Sequence, residues 1–289
     1  MDTARATAWI CALIRRIRSV WLVSAGISYL KSAIIFREME QFRCIYDKNG
    51  SEIYDISDGR VVKIIHDLSS YELTVVRLLV DMNPRLRSCV DIFTSASDRY
   101  EMRRYDGHVE VGAYGRRHWR SIGRQCLAFL EDFHHVTGMA HMDIKKGNIL
   151  VDRQSDTFYV GDFGNAEYPW REQRLLREFN ANTKWYYLAM GGELDQPLYS
   201  WRMDLVALGH VLASLQFNYV GRYETECWSK REDRGSLTDD AALELRSAEI
   251  KEALALEPYF ARLTIVPWSA AAPPPRAFYQ ELATLLGHT

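Results

Sequence analysis

HMDIKKGNILV occupies residues 141–151, and VGDFG follows at residues 160–164. The first stretch sets His141, Asp143, Lys145 and Asn148 at the spacing H-x-D-x-K-x-x-N, and the second places Asp162-Phe163-Gly164 shortly after it. These residue types suit one chemistry. Asp143 can accept the proton of a hydroxyl or orient that hydroxyl. Lys145, two residues on, projects from the same side of the loop and can neutralise a phosphoryl group in transit. Asn148 and Asp162 offer the hard oxygen ligands that magnesium prefers, and Phe163-Gly164 permits a sharp backbone turn behind the second of them. Phosphoryl transfer asks a protein mainly for positioning and charge neutralisation, which this set supplies. A polar turn between a helix and a strand would explain HMDIKKGN alone, but not the D-F-G that follows at this distance.

Upstream of the loop, RSIGRQCLAFLEDFHHV reads as a helix with Ile122, Cys126, Phe129, Leu130 and Phe133 on one face and Gly138 as its C-cap. ILV and FYV, flanking Asp152–Asp156, read as a short hairpin that presents the loop on one side and Asp162 on the other. Residues 42–65 have a different character. FRCIY, SEIYDI and GRVVKII are β-prone runs separated by the turn signals Asp47-Lys48-Asn49-Gly50 and Ser57-Asp58-Gly59. SSYELTVVRLLVDM then predicts a helix capped by Ser69 or Ser70 and ended by Asn83-Pro84. CVDIFTS and RYEMRRY add two strands that close at Asp106-Gly107. Downstream, WRMDLVALGHVLASL reads as a buried helix, AFYQELATLL as an amphipathic one, and residues 222–235 as an exposed, charge-dense loop. The expected fold class is therefore α+β: a small antiparallel β-lobe with one helix over residues 38–107, and a larger, mainly helical lobe over residues 108–289.

Composition excludes several alternatives. The 289-residue chain is long enough for one two-lobed domain. Its net charge of −2 lacks the basic excess of a general nucleic-acid binder. Cys11, Cys44, Cys89, Cys126 and Cys227 are odd in number and form no C-x-x-C pair, so neither a disulfide framework nor a zinc site follows, and a reducing intracellular compartment, cytoplasmic or nuclear, is expected. Residues 1–37 form a basic extension, with no acid from Thr3 to Arg37 and a cluster at Arg15, Arg16 and Arg18. No uncharged run there approaches the ~20 residues of a membrane span. A helix packed on the folded lobe that follows, a membrane-surface helix and a targeting leader remain open, the helix packed on the fold being preferred.

Over roughly residues 40–286 the chain resembles a eukaryotic-type serine/threonine protein kinase, nearest the casein kinase and vaccinia-related kinase branch or a divergent virus-encoded kinase. The resemblance implies a bilobal fold with ATP and Mg2+ between the lobes, and protein substrates. It implies Asp143 as catalytic base, Lys145 beside it, and Asn148 and Asp162 as metal ligands. GRVVKII resembles the V-A-I-K strand, which makes Lys63 the ligand of the α- and β-phosphates and Glu72, nine residues on, its helix partner. Asn49, Gly50, Ser51 and Ile53 stand at the nucleotide-covering loop. Thr183-Lys184-Trp185-Tyr186 resembles the T-x-x-Y that ends an activation segment, with Thr183 bridging Asp143 and Lys145. Asp204 resembles the buried aspartate that ties the helical lobe to the catalytic loop.

Four features depart from the family pattern. Only Gly50 survives of the glycine-rich loop. Met142 replaces the arginine before the catalytic aspartate. Leu188-Ala189-Met190 stands in place of A-P-E, with Arg262 and Arg276 as the candidates for its usual arginine partner. Arg103-Arg104 lies near the interlobe connection, where an apolar and an acidic residue are common. Two rival readings are a pseudokinase, binding nucleotide or docking partners without catalysis, and a small-molecule kinase of the aminoglycoside phosphotransferase type.

Overall fold

The computed structural model describes residues 42–48, 51–66, 71–82, 85–167, 185–186, 188–189, 201–217, 239–255 and 272–287. The basic extension, the 222–235 segment, the cap candidates Ser69 and Ser70, Asn83-Pro84, Arg262 and the site candidates Asn49, Gly50 and Thr183 lie outside them.

The first part is an antiparallel five-stranded sheet in the order β1 (Arg43–Lys48), β2 (Ser51–Ser57), β3 (Arg60–Ile65), β5 (Arg99–Arg103), β4 (Ile92–Ser95). The β2–β3 connection is a two-residue hairpin in which Asp58 (φ 51°) and Gly59 (φ 71°) are both left-handed, as the sheet's right-handed twist prefers. The sheet's two faces are distinct. Val62 and Ile64 pack with Phe42, Tyr54 and Ile56 on one side. By the two-residue period of strands, Lys63 turns to the other side together with its cross-strand partners Ile53 and Tyr100, and with the Val61–Met102 pair. Helix α1 (Tyr71–Met82) packs on that second side against β4 and β5. Its buried stripe runs Glu72, Val75, Val76, Leu79, with the helical period placing a carboxylate at the head of an apolar face.

The second part is built around α2 (Ala113–Thr137) and α3 (Trp201–Gln216), with α4 (Asp239–Ala255) against α3 and α5 (Arg276–Leu285) against α2. The five apolar positions expected on one face of α2 are all fully buried, and Gly138 (φ 70°) closes the helix by donating its N–H to the His134 carbonyl. The helix begins seven residues earlier than RSIGRQC suggests. Gly115 lies in that added stretch, where a Cβ would meet the Leu215 side chain at 2.8 Å and the Glu110 carbonyl oxygen at 2.3 Å, so this residue is chosen for space. Helix α3 is buried from Trp201 to Leu215, including Arg202, Asp204 and His210, and forms the axis of this part.

A three-stranded sheet, β6 (Gly107–His108), β7 (Ile149–Asp152) and β8 (Thr157–Val160), lies between the two parts. Val90 donates to the Val160 carbonyl and Val160 to that of Ser88, so the chain ahead of β4 is stitched to β8. Arg103, at the end of β5, reaches Asp152 at 2.5 Å. The architecture is thus α+β and compatible with a two-lobed layout. Among the described residues no helix is long and apolar enough to cross a membrane.

Candidate active site

Six of the sequence-predicted residues converge where the second face of the five-stranded sheet meets the β7–β8 hairpin. Lys63 on β3 extends its ammonium to Glu72 Oε1 at 2.7 Å and to Asp162 Oδ1 at 3.0 Å. The nine-residue spacing between Lys63 and Glu72 therefore suffices for the ion pair, because α1 starts close behind β3. Burial works to lower the Lys63 pKa, but Tyr100, Asp162 and Glu72 outweigh it and hold it above the ordinary lysine value, so the ammonium stays charged. Tyr100 donates its hydroxyl to the same Glu72 oxygen at 2.9 Å.

Asp162 is the half-exposed member of this cluster, with 42% of its side chain accessible. Burial works to raise its pKa; Lys63, with help from Lys145 and His141, holds it below the usual carboxylate range. Its φ of 64° is left-handed, an uncommon state for a non-glycine residue. Phe163 behind it is buried and packs its ring 5.4 Å from His141 and 5.8 Å from Phe133. Ring burial thus anchors the turn that presents the aspartate.

Asp143 sits in the catalytic-loop candidate with Lys145 Nζ at 2.7 Å from Oδ2. Asn148, in a short 3-10 turn (Lys146–Asn148), donates Nδ2 to the Asp143 carbonyl at 2.8 Å and to Oδ2 at 3.1 Å. Both amide hydrogens of Asn148 are spent on Asp143, which leaves its carbonyl Oδ1 as the atom able to meet a cation. His141 supports the loop from below. Its Nδ1 receives the Asp143 N–H at 3.3 Å, which fixes the other ring nitrogen as the donor to the Gly161 carbonyl at 3.1 Å.

The backbone beneath is held by Asp204 on α3. Its oxygens accept the N–H groups of His141 (2.6 Å) and Met142 (2.8 Å) and the ring of His134 (2.9 Å). Burial keeps the His134 pKa below its ordinary value, so the ring is neutral and donates through Nε2. Its Nδ1 must then accept, and Tyr279 on α5 donates to it at 2.6 Å. Met142, also left-handed at φ 63°, is buried and pinned by its bond to Asp204. A bulky residue in that conformation is strained, and such strain clusters at functional sites.

The two remaining predicted positions, Ser51 and Ile53, lie on β2, Ile53 directly opposite Lys63. The structure adds residues that local sequence does not point to. Val61 follows from alternation along β3, but Met102 and Tyr100 face the site only because β5 pairs with β3. Leu150 shares its face of β7 with Asp152, and the Arg103–Asp152 bond turns that face towards the end of β5. Ile53, Val61, Met102 and Leu150 are thus candidates for an apolar slot beside the Lys63 cluster. The Arg103-Arg104 pair also has a structural role: Arg103 joins the two parts, and Arg104 pairs with Asp55 on β2. Arg276 binds Glu131 at 3.2 Å, next to the Arg87–Asp132 pair, and so braces α5 against α2.

Asn148 Oδ1 and the second oxygen of Asp162 are the atoms that could contribute to a magnesium ion, which needs only one or two protein oxygens and completes its shell with water and phosphate. Among the described residues there is no group of three or more His, Cys, Asp or Glu side chains of the kind that cages a metal unaided. No protein-family model matches the chain.

Proposed function

We propose that the chain is a eukaryotic-type serine/threonine protein kinase with a bilobal kinase fold, transferring the γ-phosphate of ATP to hydroxyls of protein substrates. The observation that carries this reading is one charge arrangement. Lys63 bridges Glu72 and Asp162 from the sheet side, while Lys145 and Asn148 hold the Asp143 carboxylate from the helical side. A nucleotide whose base enters the apolar slot of Ile53, Val61, Met102 and Leu150 brings its α- and β-phosphates to Lys63. The substrate hydroxyl gives its proton to Asp143 as its oxygen bonds to the γ-phosphorus, and the electrons of the breaking bond leave with ADP. Lys145 neutralises the charge in transit. Asn148 and Asp162 would hold magnesium, whose charge offsets that of the phosphates.

The eroded glycine-rich loop, with Gly50 its only glycine, supports a second reading as a pseudokinase that binds nucleotide without transfer. One experiment separates the two. Purified protein is incubated with labelled ATP, magnesium, a panel of acidic and basic proteins and, separately, a set of small alcohols, beside Asp143→Asn. Label on serine or threonine that disappears in the variant supports the kinase. Bound ATP with no label in either protein supports the pseudokinase, and label only on small alcohols would point to a small-molecule kinase.

A further inference from the structure

We propose that Tyr100 is a positioning residue that fastens Glu72, and with it α1, in the arrangement that presents Lys63 to phosphate. Its functional half rests on the phosphotransfer reading above.

Glu72 lies in the buried stripe of α1, and its carboxylate needs strong partners there. Lys63 is one of them, but its ammonium is shared with Asp162 and is the group that incoming phosphates would draw away. Among the described residues, Tyr100 donates its hydroxyl to Glu72 and not to Asp162. Lys63 and Tyr100 are register partners on adjacent strands, so their side chains approach Glu72 Oε1 from the same level of the sheet. Tyr100 also pairs with Ser95 on β4, which clamps its backbone from both sides, and its ring is buried in the main core beside α1. Burial raises the Tyr100 pKa well above the ordinary value, with Glu72 and Asp162 adding to it, so the hydroxyl keeps its proton as a permanent donor. The other Glu72 oxygen faces Gly164, where a Cβ would stand 3.4 Å away. Fastening Glu72 therefore also fixes the wall against which the Asp162-Phe163-Gly164 turn rests.

The test uses the full chain with Tyr100→Phe, Glu72→Met, which leaves the phenol no oxygen to bond, the two combined, and Leu79→Ala as a packing control two turns away, alone and with Glu72→Met. Hydrogen exchange of residues 71–82 without nucleotide reads the fastening, and titration with a fluorescent ATP analogue and magnesium reads its consequence. Tyr100→Phe is expected to speed α1 exchange about tenfold and to weaken nucleotide binding three- to tenfold. In the Glu72→Met background the same change should add little, whereas Leu79→Ala should multiply with Glu72→Met. Unchanged exchange in Tyr100→Phe, or effects that multiply with Glu72→Met as the packing control does, would overturn the inference. If the unaltered protein binds no nucleotide, the phosphotransfer reading falls, and the exchange arm alone then supports or overturns the fastening.

Discussion

Two charged clusters lie on either side of the catalytic-loop candidate, and they are built on opposite plans. Above the loop, Lys63, Asp162, Asp143 and Lys145 pair as ions, and Asp162 and Lys145 each leave close to half of the side chain accessible. Below it, Asp204, His134 and Tyr279 are almost wholly buried, with a neutral imidazole as the central link. The upper cluster keeps charge accessible for a ligand. The lower one satisfies every donor it meets and fixes a strained backbone. Substitutions above should therefore remove activity with little effect on folding, and substitutions below should do the reverse first.

The largest effect is expected from Asp162→Asn. Transfer should fall at least about 100-fold, as for loss of a charge that acts on the transition state. The denaturant-unfolding free energy should stay within about 1 kcal/mol, because the group is half exposed. An equally active variant would break the contrast from above. Asp204→Ala should cost about 3–5 kcal/mol in the same unfolding measurement, since it strands two backbone N–H groups and the His134 ring in a buried site. A variant as stable as the parent would break the contrast from below.

pH sharpens the comparison next. His134 and His210 are both held below their ordinary pKa, His210 at about 3, chiefly by burial, with Arg246 and Lys146 adding for His210. The unfolded chain binds protons at these positions that the folded protein refuses. Stability is thus complete above about pH 6.5 and falls as pH drops below it, by up to about 1.4 kcal/mol per pH unit per histidine. Asp162, with its lowered pKa, acts in the same sense but at lower pH: its contribution is present above the ordinary carboxylate range and is lost only as pH falls below it. Urea midpoints at pH 7.5, 6 and 5 should therefore decline over a window set by these two buried histidines, and His210→Leu should flatten part of that decline. The smallest effect is expected from Arg103→Ala. Its bond to Asp152 joins the two parts, but its side chain is 38% accessible, so the cost in unfolding free energy should be under about 1 kcal/mol.

The site was legible where its residues lie close along the chain. Asp143, Lys145 and Asn148 fall within one loop, and their spacing puts Asn148 within reach of both the carbonyl and the carboxylate of Asp143. Glu72 carries a second local signal, since a carboxylate at the head of a Val75-Val76-Leu79 stripe is buried by helical periodicity alone. Boundaries were less legible. The early start of α2 runs through Gly115, a poor helix former, and follows from packing against Leu215 on a helix far along the chain. The two-residue β6 is too short for any pattern and exists because Gly107 and His108 pair with Val151 and Leu150.

By itself, the sequence determined the element types over most of the described chain, the α+β class, and the residues that carry charge in the site, because periodicity, turn chemistry and motif spacing act over a few residues. Only the tertiary structure decided which neutral groups steady those charges. Tyr100 reaches Glu72 through the pairing of β5 with β3, and Tyr279 reaches Asp204 through His134 across 145 and 70 residues of chain. Such hydrogen bonds depend on strand register and helix packing, which bring together side chains that nothing in their own neighbourhood marks out.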